Sequence, residues 1–455
     1  MGFNYQVLYG DSATLSKAGY DKVAHIPCIL DARPGYHRYG SYFLIDYALG
    51  LWDSTSKGKV GVTILPSTKT IKNCADRLAN FLEWCETKKL EPMQADYNRD
   101  LIGSYQVEML RGTWARDGKP LAERTINVRV DVAISYLNWA SFKGLRSSLI
   151  VPRIGDVLLS ESKECYPADY DHKQKKRKGK LPELSPRLTL PPEGEIIAWR
   201  QRVQENGLRG QTDVLIVDLI LETAIRREEA ACWRVDTLPI NRSDWNIVNY
   251  HVADENKSVF VEICYGAKGH EYGISCGDKI GPRSIIRLPY SMALRLHNYR
   301  DRVRSNALAK AIVKGKTVRE QNVIKDESVH LFLNPVNGKR YSGDDIYEFW
   351  RAAKPPKSWS PHKARHYWAC CLLWDKMRQQ RALIESAPAS VNSEVLFEAL
   401  QSSLMSVIRL QIQPQLRHKS ENTSLIYLQW FSDQLMQNMN FHERWATESF
   451  GGIML

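Results

Sequence analysis

The chain is poor in the features that organise small secreted or metal-bound proteins. Its nine cysteines are scattered, and none forms a Cys-x-x-Cys pair. An odd count without regular spacing argues against a disulfide framework and against a zinc site. Cys370 and Cys371 are adjacent in an apolar run and read as reduced core residues, which implies a reducing, cytoplasmic compartment. No window approaches the ~20 apolar residues of a membrane span, so no membrane partner is expected. The first residues lack a charged stretch followed by an apolar core, so no secretory signal is expected. There is no internal repeat. No cluster of carboxylates suggests a metal site, so neither a metal nor another cofactor is expected.

What is present is positive charge. Lys and Arg outnumber Asp and Glu by 63 to 51 in 455 residues, a net charge of +12. Such an excess favours a polyanionic partner, because neutralising phosphates releases counterions. Hydrophobic residues at 43% and charged residues at 25% describe a globular protein, and the length asks for two or three domains.

Residues 1–62 form an N-terminal extension of unplaced role, dense in aromatics. Tyr36, Tyr39, Tyr42, Phe43, Tyr47 and Trp52 read as a small core, with base stacking beside Arg33, His37 and Arg38 as the alternative. Residues 63–150 turn helical. Ser67 or Thr68 can cap a helix whose stripe is Ile71, Cys74, Ala75, Leu78, Phe81, Leu82 and Cys85. Leu101, Tyr105 and Met109 mark a second helix. Ile126, Val130, Ala133, Leu137 and Ala140 mark another, ending near Gly144. Arg124 and Arg129, at the start of that helix, are candidate phosphate contacts.

Residues 151–187 read as a basic linker. The run from His172 to Lys180 holds six Lys or Arg, including Lys175, Lys176, Arg177 and Lys178, with prolines at 167, 182 and 186. Such a run repels itself and stays extended, either tracking a DNA backbone or serving as a plain tether. Residues 188–455 are longer and mixed. A buried helix is predicted over 213–225, strands over 245–252, 258–265 and 284–288, and helices again from about 344. The expected fold class is mostly α with a small antiparallel sheet: a helical domain followed by a mixed α/β domain.

The chemistry-bearing residues come late. His362 and Arg365 lie at i and i+3, on one helix face, behind Pro361 at a first turn and Ser360 as cap. A helix start of this kind suits anions. His418 precedes Tyr427 by nine positions. One unbroken helix would hold them ~13 Å apart on opposite faces, so they can share a site only if the chain breaks between them. Ser420 to Ser424 is rich in turn formers and can supply the break. Arg226 ends an apolar helix, where burial demands a partner such as Glu229 or a phosphate. Lys268, in Gly266-Ala267-Lys268-Gly269, sits at a hairpin tip.

Taken in order, these residues resemble the tyrosine recombinase (phage integrase) family over about residues 63–430. Thr223-Ala224-Ile225-Arg226, with Glu229 three residues on, resembles the family's Thr-Gly-Leu-Arg box and selects Arg226 over Arg227. Pro361-His362-Lys363-Ala364-Arg365-His366 resembles the His-x-x-Arg-His box. Leu416-Arg417-His418 and Tyr427 resemble the closing Leu-Gly-His and the nucleophilic tyrosine. Three departures stand out: Ala224-Ile225 for Gly-Leu, Arg417 for Gly, and a segment at roughly 379–406 that the family does not usually carry.

The resemblance implies a site-specific recombinase, integrase- or transposase-like, that cleaves and rejoins double-stranded DNA through a 3′-phosphotyrosyl link on Tyr427. Arg226, Arg365 and His418 would hold the phosphate, and His362 would help deprotonate the tyrosine. Lys268 would protonate the leaving oxygen, with Glu229 and His366 in support. It also implies integration or excision of a mobile element, a homo-tetramer on DNA, and a C-terminal tail (Phe431, Leu435, Met439, Phe441, Trp445, Phe450) exchanged in trans. Accessory proteins are possible partners, and location on the nucleoid follows. The same residue set admits a type IB topoisomerase. A non-catalytic DNA-binding accessory protein is the remaining alternative.

Overall fold

The computed structural model describes residues 5–31, 33, 35–52, 65–154, 176–183, 187–266, 274–275, 278–385, 403–418 and 423–438. They divide into two compact units, Met1–Ser185 and Pro186–Leu455. The architecture is mostly α-helical, with a two-stranded and a four-stranded antiparallel sheet. Among the described residues, no helix is long and apolar enough to cross a membrane.

The first unit is built on helix Thr68–Thr87. Ser67 caps it, accepting a hydrogen bond from the Thr70 amide at 3.3 Å. Every residue of the expected stripe, Ile71 to Cys85, is buried, because 3.6-residue periodicity turns those positions to one side. Helix Glu123–Phe142 packs beside it through Ile126, Val130, Ala133, Leu137 and Ala140. The second expected helix is irregular: a π-helical stretch, Tyr97–Gln106, runs into the short helix Val107–Arg111, which stops at left-handed Gly112.

The N-terminal residues are not a separate appendage. Strands β1 (Gln6–Leu8) and β2 (Cys28–Leu30) pair antiparallel, and helix Arg38–Ala48 follows. Ile29, Phe43 and Leu44 are fully buried in the same core as Trp84, Tyr136 and Trp139. Asp46 fixes the junction, accepting a hydrogen bond from Trp139 Nε1 at 2.8 Å and pairing with Lys143 at 2.7 Å. Of the aromatic cluster, Phe43 is core, whereas Tyr36, Tyr39 and Tyr42 stay exposed.

The basic linker is also only partly a tether. Its described end is docked on the helices of the first unit. Tyr97 donates to the Lys178 carbonyl at 2.5 Å, Gln106 to the Gly179 carbonyl at 3.0 Å and Asn127 to the Leu181 carbonyl at 3.0 Å. Arg177 is buried and paired with Asp131 at 2.8 Å, so it is a packing residue and not a free phosphate contact. Lys176 and Lys178 remain exposed, and Lys175 lies outside the described residues.

The second unit begins with helix Glu193–Gln204 and the apolar helix Gly210–Thr223. The latter stops two residues before the predicted end, because Ala224 is left-handed (φ 54°, ψ 28°). Strands β3 (Asn246–Val248), β4 (Ser258–Tyr265), β5 (Ile274–Ser275) and β6 (Asp278–Pro289) form a sheet in the order β3-β4-β6-β5. Val259 pairs with Leu288 and Val261 with Ile286, and all four are buried against the apolar helix. Helices resume at Tyr290, well before the predicted position, as Tyr290–Tyr299, Ser305–Ile312 and Val318–Glu327. Helix Gly343–Ala352 and the long helix Pro361–Glu385 follow.

Candidate active site

The site lies where three chain ends meet: the end of helix Gly210–Thr223, the start of helix Pro361–Glu385, and the break between Gln413–Leu416 and Leu425–Asn438. Each local structure has a cause. Pro361 opens its helix, and Ser360 accepts from the Lys363 amide at 3.3 Å. That first turn presents His362, Arg365 and His366. Ala224 turns the chain out of the apolar helix, so Arg226 is not helical; it is the N-cap of the next helix, Arg227–Ala231. Arg417 ends the helical run at 403–416 in a left-handed conformation (φ 54°, ψ 48°). For a residue with a β-carbon that conformation costs roughly 1–2 kcal/mol.

The two left-handed residues, Ala224 and Arg417, occupy the positions where the sequence departs from glycine in the resembled boxes. The turn before His418 has the left-handed geometry that glycine adopts freely, here on an arginine.

Glu229 is the anchor of the cluster and is fully buried. Its Oε2 accepts from the Arg226 amide at 2.6 Å, and its Oε1 accepts from Arg226 Nη1 at 2.8 Å. Arg417 Nη2 also donates to Oε2. Arg365 is buried and takes no carboxylate; its guanidinium donates to the carbonyls of Ala224 and, at 2.9 Å, Leu416. Arg226 Nη2 reaches the same Leu416 oxygen at 3.5 Å. Three guanidiniums thus converge around one carboxylate and two backbone carbonyls. Burial, and then the neighbouring Arg226 charge, push Arg365 down to about 9, which leaves it a cation at neutral pH.

Tyr427 is fully buried in an apolar cluster with Ala369, Cys370, Leu373, Ile408, Leu416 and Phe431. Its hydroxyl meets His366 Nδ1 at 3.0 Å. The expected partner of that hydroxyl was His362. His362, one helical turn before, is exposed, and its ring packs edge-on against His366 at 4.6 Å. His418 lies parallel to the Tyr427 ring (6.3 Å, 11°), and its Nδ1 meets Ser424 Oγ at 3.0 Å. The break that lets His418 and Tyr427 share a site is therefore real, although Ser420, Glu421 and Asn422 lie outside the described residues.

The rings are neutral. Burial, and then the His362 and Lys363 charges, depress His366 to about 3. Burial, and then Arg365 and Arg226, depress His418 to about 4. Burial pushes the Tyr427 hydroxyl well above the ordinary phenol range. A neutral His366 can accept the phenolic proton at Nδ1 when its own proton sits on Nε2.

Two contributors escaped the sequence reading. Gln415 is buried and ties the break to the sheet: its Oε1 accepts from the Arg287 amide at 2.8 Å, and its Nε2 donates to the carbonyls of Thr223 at 2.8 Å and Arg287 at 3.0 Å. Arg417 was read only as a missing glycine. Gln415 is one of three glutamines at 411, 413 and 415, so nothing in the sequence singled it out. Of the remaining expected residues, Lys268 lies outside the described residues. Arg124 is exposed, and Arg129 donates to Asn80 at 3.1 Å within the first unit. Phe431, first of the apolar tail series, packs in cis on Trp374 of the chain's own helix (5.8 Å); Met439, Phe441, Trp445 and Phe450 lie outside the described residues. Of the segment at 379–406, Leu404 joins the apolar cluster around Tyr427.

Among the described residues, no group of three or more His, Cys, Asp or Glu side chains is placed to hold a metal. A cavity of about 790 Å³, lined by Lys314, Glu327, His330 and Arg340 among others, contains none of the clustered residues.

No family model matches the chain, and no curated protein matches it in sequence. Solved structures do. One is XerH site-specific recombinase bound to a palindromic difH substrate, at 12% identity and TM-score 0.44 over 89% of this chain and 95% of that one. Another is XerA recombinase, at 13% identity and TM-score 0.30, covering 88% and 98%. A third is the Tn1549 transposon integrase in complex with circular intermediate DNA, at 13% identity and TM-score 0.42, covering 85% and 94%.

Proposed function

We propose that this chain is a site-specific DNA recombinase that cleaves and rejoins DNA through a covalent link on Tyr427. The observation that carries the reading is the hydroxyl of Tyr427 on His366 Nδ1 at 3.0 Å, in a site where Arg226, Arg365 and Arg417 converge. Tyr427 Oη attacks the scissile phosphorus, its proton passes to His366, and the bond to the 5′-oxygen breaks. A 3′-phosphotyrosyl link and a free 5′-hydroxyl result. Storing the bond covalently divides one hard step into two reversible ones. Arg226 and Arg365 suit the nonbridging oxygens, where charge grows in the transition state, because a guanidinium is planar and permanently charged. His418 donates a further hydrogen bond to the phosphate, and Lys268 protonates the leaving oxygen.

Because Tyr427 is fully buried, attack requires helix Leu425–Asn438 to shift when DNA is engaged. Strand exchange follows when the 5′-hydroxyl of a second duplex attacks the phosphotyrosine. Two duplexes with two strands each call for four protomers, and integration or excision of a mobile element is the biological setting.

The test is Tyr427→Phe on a nicked suicide duplex spanning the chain's own site, located by mapping the genomic junctions beside its gene. A covalent adduct formed by wild type and abolished by Y427F is the expected result. An adduct that survives in Y427F removes the assignment. Relaxation of supercoils without strand exchange would make the enzyme a topoisomerase instead.

A further inference from the structure

We infer that Arg417 is a third arginine ligand for the scissile phosphodiester, an inference that rests on the proposed reaction. Arg417 stands where the resembled box has glycine, so the role is one this chain adds. Its backbone is left-handed, yet its side chain is not turned out to solvent; only 11% of it is exposed. Nη2 is held on Glu229 Oε2, while Nε and Nη1 are buried with no hydrogen-bond partner among the described residues. A desolvated guanidinium with two unused donor atoms is costly to keep and calls for an acceptor.

The surroundings say what kind. The Arg417 charge acts on both Arg365 and His418, so it belongs to the same field as the residues that flank Tyr427. Glu229 is shared between Arg226 and Arg417, and Arg365 rests on carbonyls alone. Three cations around one carboxylate leave the cluster in need of an anion. An oxyanion such as a phosphodiester suits guanidinium N–H donors that are already oriented. Binding energy spent by Arg417 is then realised only when the phosphate enters.

The experiment compares wild type with R417M, R417G and R417K. R417G matters because glycine takes the left-handed conformation freely, so it removes the guanidinium without straining the turn. Calorimetric titration with inorganic phosphate at constant ionic strength should show affinity about tenfold weaker in R417M and R417G, with R417K between. On the suicide duplex, R417M should cleave about a hundredfold more slowly than wild type. On the same duplex with a methylphosphonate at the scissile position, where one charged oxygen is gone, the gap between wild type and R417M should shrink to within about threefold. Equal losses on both duplexes would mean that Arg417 acts only through the fold and would overturn the inference. So would R417M affinity for phosphate within twofold of wild type while R226M and R365M bind tenfold more weakly; that outcome leaves the proposed reaction intact. Unchanged cleavage in R226M and R365M would overturn the reaction itself, and the inference with it.

Discussion

His366 and His362 sit one helical turn apart, and His366 Nδ1 meets the Tyr427 hydroxyl at 3.0 Å. On the proposed reaction, His366→Phe tests which ring takes the proton. Phenylalanine keeps the ring volume and removes Nδ1, the atom 3.0 Å from the phenol. Leaving that buried hydroxyl without an acceptor costs about 1–3 kcal/mol of stability. Loss of a general base lowers the rate by roughly 10²–10⁴. The sharper discriminator is pH. His366 is depressed to about 3 by burial and then by its cationic neighbours, so the imidazole is almost wholly neutral at pH 5.5. A histidine at the ordinary value of about 6.5 would be only about one-tenth neutral there and would lose about tenfold in rate. The assay is single-turnover adduct formation with protein well below its DNA dissociation constant, so that the profile reports free-enzyme groups. Wild type should hold its rate within about twofold between pH 5.5 and 7.5, and H362N should keep most of it. A tenfold fall centred near pH 6.5 that disappears in H362N, or an H366F rate equal to wild type, would refute the assignment of His366.

Three further outcomes follow from the same structure. Both His366 and His418 have folded values below their ordinary 6.5, at about 3 and about 4, so the unfolded chain takes up their protons first as pH falls. Stability should be complete above pH 6.5 and decline from there towards 3 to 4, and a melting series across that window should be flatter in H366F. Gln415→Leu removes the three hydrogen bonds of a buried side chain and leaves their backbone partners without it; urea unfolding should show about 2–4 kcal/mol lost, with helix content retained at low denaturant. Arg177→Ala removes a buried guanidinium from its pair with the exposed Asp131 and should destabilise by about 1–3 kcal/mol while leaving the salt dependence of DNA binding unchanged. A salt slope that falls by about one in R177A would return that residue to the DNA surface.

Local order was the legible part of this protein. The stripe from Ile71 to Cys85 could be read because helical periodicity repeats within a few residues, and every member is buried. His362 and Arg365 could be paired because i and i+3 share a face. The same rule could not choose between His362 and His366, since i and i+4 share that face equally well; the choice is made by Tyr427, 61 residues further on. Arg177 reads as solvated because its neighbours are basic, and its partner Asp131 is 46 residues away. Helices Ser305–Ile312 and Val318–Glu327 bury only Ala307 between them, which weakens the apolar period that would announce them, whereas Tyr290–Tyr299 buries Met292, Ala293, Leu296 and Tyr299 at helical spacing and was open to the same reading as the stripe. The left-handed turns at Ala224 and Arg417 had no residue signal at all, because glycine is what normally announces such a turn.

Those two turns explain how the site keeps its arginines charged and close together. A helix ends with carbonyls that have no partner inside it, and the negative end of its dipole lies there. At Ala224 the chain leaves the helix abruptly, and the freed Ala224 carbonyl accepts from Arg365. At Arg417 it does so again, and the Leu416 carbonyl accepts from both Arg365 and Arg226. Carbonyl oxygens satisfy guanidinium donors without carrying a compensating full charge. Had carboxylates done the same work, each buried arginine would have been neutralised before any ligand arrived. Among the described residues only Glu229 is spent in that way, and it is shared. A cluster assembled on helix ends is thus ordered in advance and still cationic, the combination that a reaction on phosphate requires. The backbone cost of two left-handed residues with side chains is what holds those ends in position.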